Sequence, residues 1–236
     1  MKKVRWAIAL IWVSRLWAQI ESPNSFLGLS VGVATPTGPT SATGFTYPTH
    51  GYAREGAAIG LHLNTFIAPY IGISLRLSQS FLPLDAKALG KRGALFPEPV
   101  SIAKDPTLSH TTVGVGLVTG LRMTDVDWLS FYVPLQFALG IYSLPEIQGV
   151  KSSTQTWVQP KFSTVQAGIS TGLIMNFSLT DDFFVGISFL YTGASSGQKD
   201  FNRQRYTLSV ADWTYIYRAS VRADLAEVGV LLGLNF

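Results

Sequence analysis

The chain has 236 residues, of which 14% are charged and 12% aromatic, with 22 glycines and no cysteine. The missing thiols exclude disulfides, thiolate metal sites, a thiol nucleophile and a lipidated amino-terminal Cys. A pI of 9.3 invites a nucleic-acid reading, but Lys2, Lys3, Arg5 and Arg15 all lie in the first eighteen positions. Without those four of the 18 basic residues, 14 remain against 14 acidic ones, and no phosphate-neutralising patch is visible.

Those first positions, MKKVRWAIALIWVSRLWAQ, have a basic start, a short apolar stretch from Trp6 to Val13 and a cleavage point after Ala18. That is the layout of a secretory signal peptide, too short to span a bilayer as a helix. Residues 1–18 are therefore expected to be removed and 19–236 to form a single domain. No apolar run of 18 residues follows, so helical spans are not expected.

From Ser25 onward the chain alternates with a period of two. SFLGLSVGVA sets Leu27, Leu29, Val31 and Val33 against Gly28, Ser30 and Gly32. AAIGLHLN sets Ile59, Leu61 and Leu63 against Gly60, His62 and Asn64. YIGISLRLSQSF sets Ile71, Ile73, Leu75 and Leu77 against Gly72, Ser74, Arg76 and Ser78. TTVGVGLVTGLRM, LSFYVPLQFALGIY, TVQAGISTGLIMNF and FFVGISFLY continue the pattern, and LAEVGVLLGLNF makes eight. The connections alternate too. Residues 64–69, 123–128 and 178–182 form tight turns, whereas 35–55, 83–110, 144–162 and 193–213 form long polar loops. An even strand number with short turns on one side and long loops on the other is the habit of outer-membrane barrels. Pro134 predicts a bulge, because it cannot donate to a ladder. Residues 213–223 run at the opposite parity to 228–236, which predicts either a bulge near Ala226 or an extra hairpin, making ten strands.

The residues opposite the apolar parity decide which face looks outward. Thirteen of the 22 glycines fall there, and within the strands His62, Arg76, Arg122 and Glu227 are the titratable residues on that side. A solvated face would carry more charge. Glycine weakens a strand unless close approach requires it, so this face is a crowded interior and the apolar one meets hydrocarbon. Aromatics near the short turns (Phe66, Tyr70, Trp128, Phe177, Phe183, Phe184, Phe236) and near the long loops (Phe81, Tyr142, Phe162, Tyr191, Trp213, Tyr215, Tyr217) are expected to form two interfacial girdles.

In these segments, and in the terminal Leu234-Asn235-Phe236, the chain resembles the superfamily of small outer-membrane β-barrels. It is most similar to the OmpA-like and OmpW-like proteins with an "outer membrane beta-barrel domain" found in Bacteroidota. The resemblance implies an eight-stranded up-and-down transmembrane barrel in a Gram-negative outer membrane, with its long loops extracellular. It also implies recognition of Leu234 and Phe236 by the barrel-assembly machinery, and outer-membrane lipid and lipopolysaccharide as surroundings of a monomer. The leading function is structural or surface-interacting, with a narrow plugged lumen. An OmpW-like conduit for small apolar solutes and an accessory barrel of a secretion apparatus are the alternatives.

The candidate site is a lumen polar network of His62, Arg76, Arg122, Gln136, Gln166 and Glu227, with Tyr132 beside it, since a buried charge needs a partner. Lys87, Lys91, Arg92 and Lys104 of the second loop could meet lipopolysaccharide phosphates, although Asp85, Glu98 and Asp105 also suit an ordinary solvated loop. His50 and the Ser109-His110 pair in outer loops, with His62 in the lumen, are the pieces available to a lipid-modifying enzyme. No spacing joins them as nucleophile and base. No metal or cofactor is expected, three scattered histidines being a poor ligand set.

Overall fold

The computed structural model describes residues 20–37, 52–91, 96–194, 197–208, 210–221 and 224–236. The proposed signal peptide, His50 and Arg92 lie outside them. Thirteen strands run in chain order: β1 (Ile20–Glu21), β2 (Phe26–Thr37), β3 (Gly56–Ala68), β4 (Ile71–Pro83), β5 (Thr107–Met123), β6 (Val126–Leu144), β7 (Ile147–Ser152), β8 (Gln155–Gln159), β9 (Phe162–Ser178), β10 (Phe183–Ala194), β11 (Gly197–Thr207), β12 (Val210–Val221) and β13 (Asp224–Asn235). One short helix, α1 (Ala86–Leu89), follows β4.

Eight of these strands form a closed antiparallel barrel in the order β5-β4-β3-β2-β13-β10-β9-β6, with β6 returning to β5. The last strand pairs with the first along its whole length, from Asp224↔Thr37 to Asn235↔Phe26. Starting at Phe26, the chain of paired residues runs through Asn64, Ser74, Gly116, Gln136, Ser170, Thr192 and Leu225, and arrives back on β2 at Pro36. The register therefore climbs by ten residues per circuit. With strands ~4.8 Å apart and ~3.3 Å per residue, this shear tilts the strands by about 40° and gives a backbone radius of about 8 Å. Such a tube is wide enough for side chains and no more.

The seam shows why so much glycine lies inward. A Cβ on Gly32 would stand 1.9 Å from the Val228 carbonyl oxygen, and one on Gly172 would stand 2.0 Å from that of Phe189. Neither position admits a side chain without parting the ladder.

Two sequence expectations are corrected here. Pro134 causes no bulge: Tyr132↔Ile174 and Leu135↔Thr171 keep one register, and the ladder to β9 lapses only between them. The Thr171 hydroxyl donates to the Pro134 carbonyl at 2.9 Å in that gap. The segments around 205–221 add no barrel strand; from Thr192↔Leu225 to Gly197↔Val221 the pairing moves by one residue, which matches the change of parity between 213–223 and 228–236. β11 and β12 form a hairpin in a second sheet, ordered β12-β11-β8-β7, whose β7, β8 and β11 come from two connections expected to be long polar loops.

Candidate functional site: a lumen closed at three levels

The outer wall of the barrel carries an apolar belt. Leu29, Val31, Leu117, Leu135, Phe137, Val165, Ile169, Val230 and Leu232 are each more than half exposed, and their neighbours of the same parity nearly so. Isolated exposed apolar residues are ordinary, but a contiguous surface of this size around a closed sheet is stable only in hydrocarbon.

The lower, short-turn end of the lumen is filled with rings. Phe26 meets Tyr132 edge-on at 4.8 Å and Phe184 at 5.2 Å, and Phe66 tilts against Tyr132 at 6.0 Å. Val118, Ile174, Leu190 and Leu231 complete this cluster. Phe184 is accommodated by the missing side chains of Gly28 and Gly233, where a Cβ would come within 3.1 and 2.6 Å of its ring. Beneath the rings, the segment from β1 to β2 crosses the mouth. Glu21 pairs with Arg122 of β5 while Phe26 already pairs with β3. Pro23 is buried, the Tyr132 hydroxyl donates to the Asn24 carbonyl at 3.2 Å, and the Phe66 amide donates to Ser25 Oγ at 3.0 Å. Phe66 and Phe184, expected in the lower girdle, thus turn inward; Trp128, Phe183 and Phe236 remain exposed.

The middle level is polar. Arg76 and Glu227 form a buried ion pair through Nη2 and Oε2. Arg76 Nη1 also donates to Ser170 Oγ at 2.8 Å and Thr192 Oγ1 at 3.3 Å, and Nη2 donates to Ser78 Oγ at 3.1 Å. Ser80 donates to the second carboxylate oxygen of Glu227 at 3.3 Å. Six strands thus converge on one charge pair: β4, β9, β10 and β13 directly, with β2 and β3 adjoining through Ser30 Oγ and His62 Nε2, 2.9 Å apart. Gln136 Nε2 donates to Ser74 Oγ at 2.7 Å, over the space left by Gly114. Gln166 is buried on the inward side of β9.

Arg122 departs from the expectation. Its position at the end of β5, next to the tight turn, lets Nε reach the Asp127 carbonyl at 2.6 Å on the exposed rim, so it takes no part in the Arg76–Glu227 cluster. His110 also departs: it lies in β5, buried, with Nδ1 3.2 Å from Thr112 Oγ1. It enters the lumen over Gly140, while its neighbour Ser109 faces the other side of the strand. The two cannot act as a pair. Ser30 and His62 are at bonding distance but lie beneath the upper cap and above the ring layer.

The upper end is capped. Leu84, Leu89 and Phe96 of the second loop join Leu82, Leu108, Tyr142, Leu144, Ile147 and Trp157 in one buried cluster with Ala34, Ala58 and Leu225. The loop expected to be merely solvated therefore has an apolar underside. Its charges hold it in place. Asp85 caps α1 through the Ala88 amide at 3.0 Å and pairs with Arg54 at 2.6 Å, which lowers its carboxyl from the ordinary 3.8. Glu98 pairs with Lys151 at 2.8 Å and is likewise lowered by that bond. Arg205 and Asp212 pair at 2.8 Å at the far hairpin. Tyr142, expected at the upper girdle, belongs to this cap, whereas Phe81 and Tyr191 are exposed. The side chains of Trp213, Tyr215 and Tyr217 are outside the described residues.

Leu234 and Phe236 both face outward at the lower rim, and the Phe236 amide donates to the Ser25 carbonyl at 2.9 Å. Among the described residues no group of three or more His, Asp or Glu is placed to hold a metal.

Several solved structures are similar to this chain. Ail of Yersinia pestis, the attachment invasion locus protein, is 12% identical over 91% of this chain and 99% of its own, with a TM-score of 0.44. The N-terminal β-barrel domain of Pseudomonas aeruginosa OprF is 14% identical over 92% and 99%, at 0.33. A major outer membrane protein from Thermus thermophilus is 13% identical over 90% and 99%, at 0.37. No family model and no curated protein matches the sequence. The closed eight-stranded barrel is established by this chain's own ladders.

Proposed function

We propose that the protein is an exported outer-membrane barrel with a structural or surface-interacting role, and that its lumen does not conduct. The observation carrying this reading is the closure of the lumen at three successive levels inside a wall whose apolar side faces out. A ring plug, a charge-paired middle and a loop cap leave side chains where a water column would run, as the eight-stranded circumference leads one to expect. The same closure disfavours the apolar-solute conduit, whose path would have to run through these filled levels.

In this reading residues 1–18 direct export, Leu234 and Phe236 are read during assembly, and the second sheet stands outside the cell on a monomeric barrel. Exposed Lys87 and Lys104 lie at the level where lipopolysaccharide phosphates would be met. The test is twofold. Purified protein in planar bilayers is expected to give no resolved single-channel steps, and unheated samples in detergent should migrate differently from boiled ones. Regular conductance steps would overturn the plugged lumen, and a mature chain monodisperse in detergent-free buffer would overturn the membrane assignment.

A further inference from the structure

Gln79 is the exception in the belt. On the outward positions of the eight barrel strands it is the one carboxamide, between Leu77 and Phe81 on β4. Its neighbours in the ladder are Ile59 on β3 and Thr111 on β5. Thr111 Oγ1 donates to Gln79 Oε1, so the acceptor is occupied. Among the described residues Gln79 Nε2 reaches only the Ser80 carbonyl, at 3.5 Å, the limit of a hydrogen bond. An amide N–H facing hydrocarbon without a partner is strongly disfavoured, so something in the surrounding medium is expected to accept from it.

A groove lies directly below. It has a volume of about 250 Å³, and its walls include Leu29, Ile59, Leu61 and Leu77, with Gln79 and Thr111 at its head. Gln79 stands eight residues above Ile71. At ~3.3 Å per residue and a tilt of about 40°, that is about 20 Å up a belt about 25 Å tall. The amide therefore sits just inside the upper margin, near Phe81, at the depth where lipid chains join their head groups.

We propose that this groove binds one ester-linked acyl chain of a bilayer lipid, with its carbonyl accepting from Gln79 Nε2 and its methylenes lying against Leu29, Leu61 and Leu77. The site rests on the membrane reading above and adds a specific lipid contact to it. The carbonyl supplies the acceptor the strand lacks, and the aliphatic walls take the chain below.

The mature protein in detergent would be titrated with dipalmitoyl phosphatidylcholine and with its dihexadecyl diether counterpart, and bound lipid counted by native mass spectrometry. The ether lipid has the same chains and head group without the carbonyls. The wild type is expected to favour the diester by about threefold to tenfold, the range of one net hydrogen bond. Gln79→Leu should abolish the preference, whereas Thr111→Val, which leaves Nε2 in place, should retain it. Equal affinity of the wild type for both lipids would overturn the proposal, as would a preference that survives in Gln79→Leu. If that variant fails to fold, the wild-type comparison still decides. Gel mobility separates the two levels: a heat-shifted band with no ester preference refutes only the groove, whereas a chain soluble without detergent refutes the membrane reading.

Discussion

Replacing Glu227 with Leu would leave the Arg76 guanidinium inside the barrel with three hydroxyls for company. Arg76 side-chain exposure is 1%, so water cannot compensate. The bond lost is charge-assisted, about 1.5–3 kcal/mol in itself, and the guanidinium left behind is an uncompensated buried charge. Removing one partner of such a pair costs about 3–5 kcal/mol in all. The bonds from Ser78 and Ser80 to Glu227, at 3.5 and 3.3 Å, are long and add little. Exchanging both partners, Arg76→Met with Glu227→Leu, should recover stability to about the wild-type level or beyond it. Urea unfolding in detergent micelles, followed by tryptophan fluorescence and the heat-dependent gel shift, would measure this. With a slope of about 2 kcal/mol per molar, the single variant should unfold about 2 M earlier. A single variant within about 1 kcal/mol of wild type, or a double variant as unstable as the single one, would refute the reasoning.

Other perturbations probe the remaining levels. Gly32→Val or Gly172→Val should prevent closure outright, because the new Cβ meets a carbonyl oxygen at 1.9 or 2.0 Å; the unheated gel would then show only the unfolded band. Phe184→Ala should destabilise by about 3–5 kcal/mol through the cavity left in the ring plug, measured by the same urea titration. The cap should respond to acid. The folded-state carboxyl of Asp85 is lowered from 3.8, by the Ala88 amide first and Arg54 second, so its stabilisation is present above that value and lost as pH falls through the depressed one. Hydrogen exchange is expected to show residues 84–91 well protected at pH 7 and weakened below pH 3.8, with β4 and β5 unchanged. Protection that instead fails near pH 6 would assign the cap to other groups.

The barrel was legible because one rule, parity, governs every spanning strand. Leu27 to Val33 and Val228 to Leu234 face lipid because a one-residue slip would exchange the entire faces. Parity also carried the inward turn of Phe66, Phe184 and Tyr142, which share a face with His62, Gly186 and Gly140. Placing them by depth in a girdle overrode that signal. Arg76 and Glu227 were legible as residues in need of partners, but Arg122 was not separable from them, since only its nearness to the turn draws it to the Asp127 carbonyl. The cap was hidden for a different reason. Leu84, Leu89, Phe96 and Trp157 are spread over two connections with no shared period, and only the paired β7 and β8 bring Trp157 over the mouth. The alternation of 213–221 marked most of β12, but β11 lies in a connection expected to be a polar loop, and its partner β8 is five residues long and gives too little pattern to announce itself.

The seam between β2 and β13 brings the two termini of the domain to one rim, where the Phe236 amide bonds the Ser25 carbonyl. A circular permutant that links these ends and opens the turn after Ser178 would keep every ladder, yet move Leu234 and Phe236 to mid-sequence. Insertion of such a permutant would show that these two residues are needed for their place in the wall, and its failure would show that the cell must find them at the free carboxyl end.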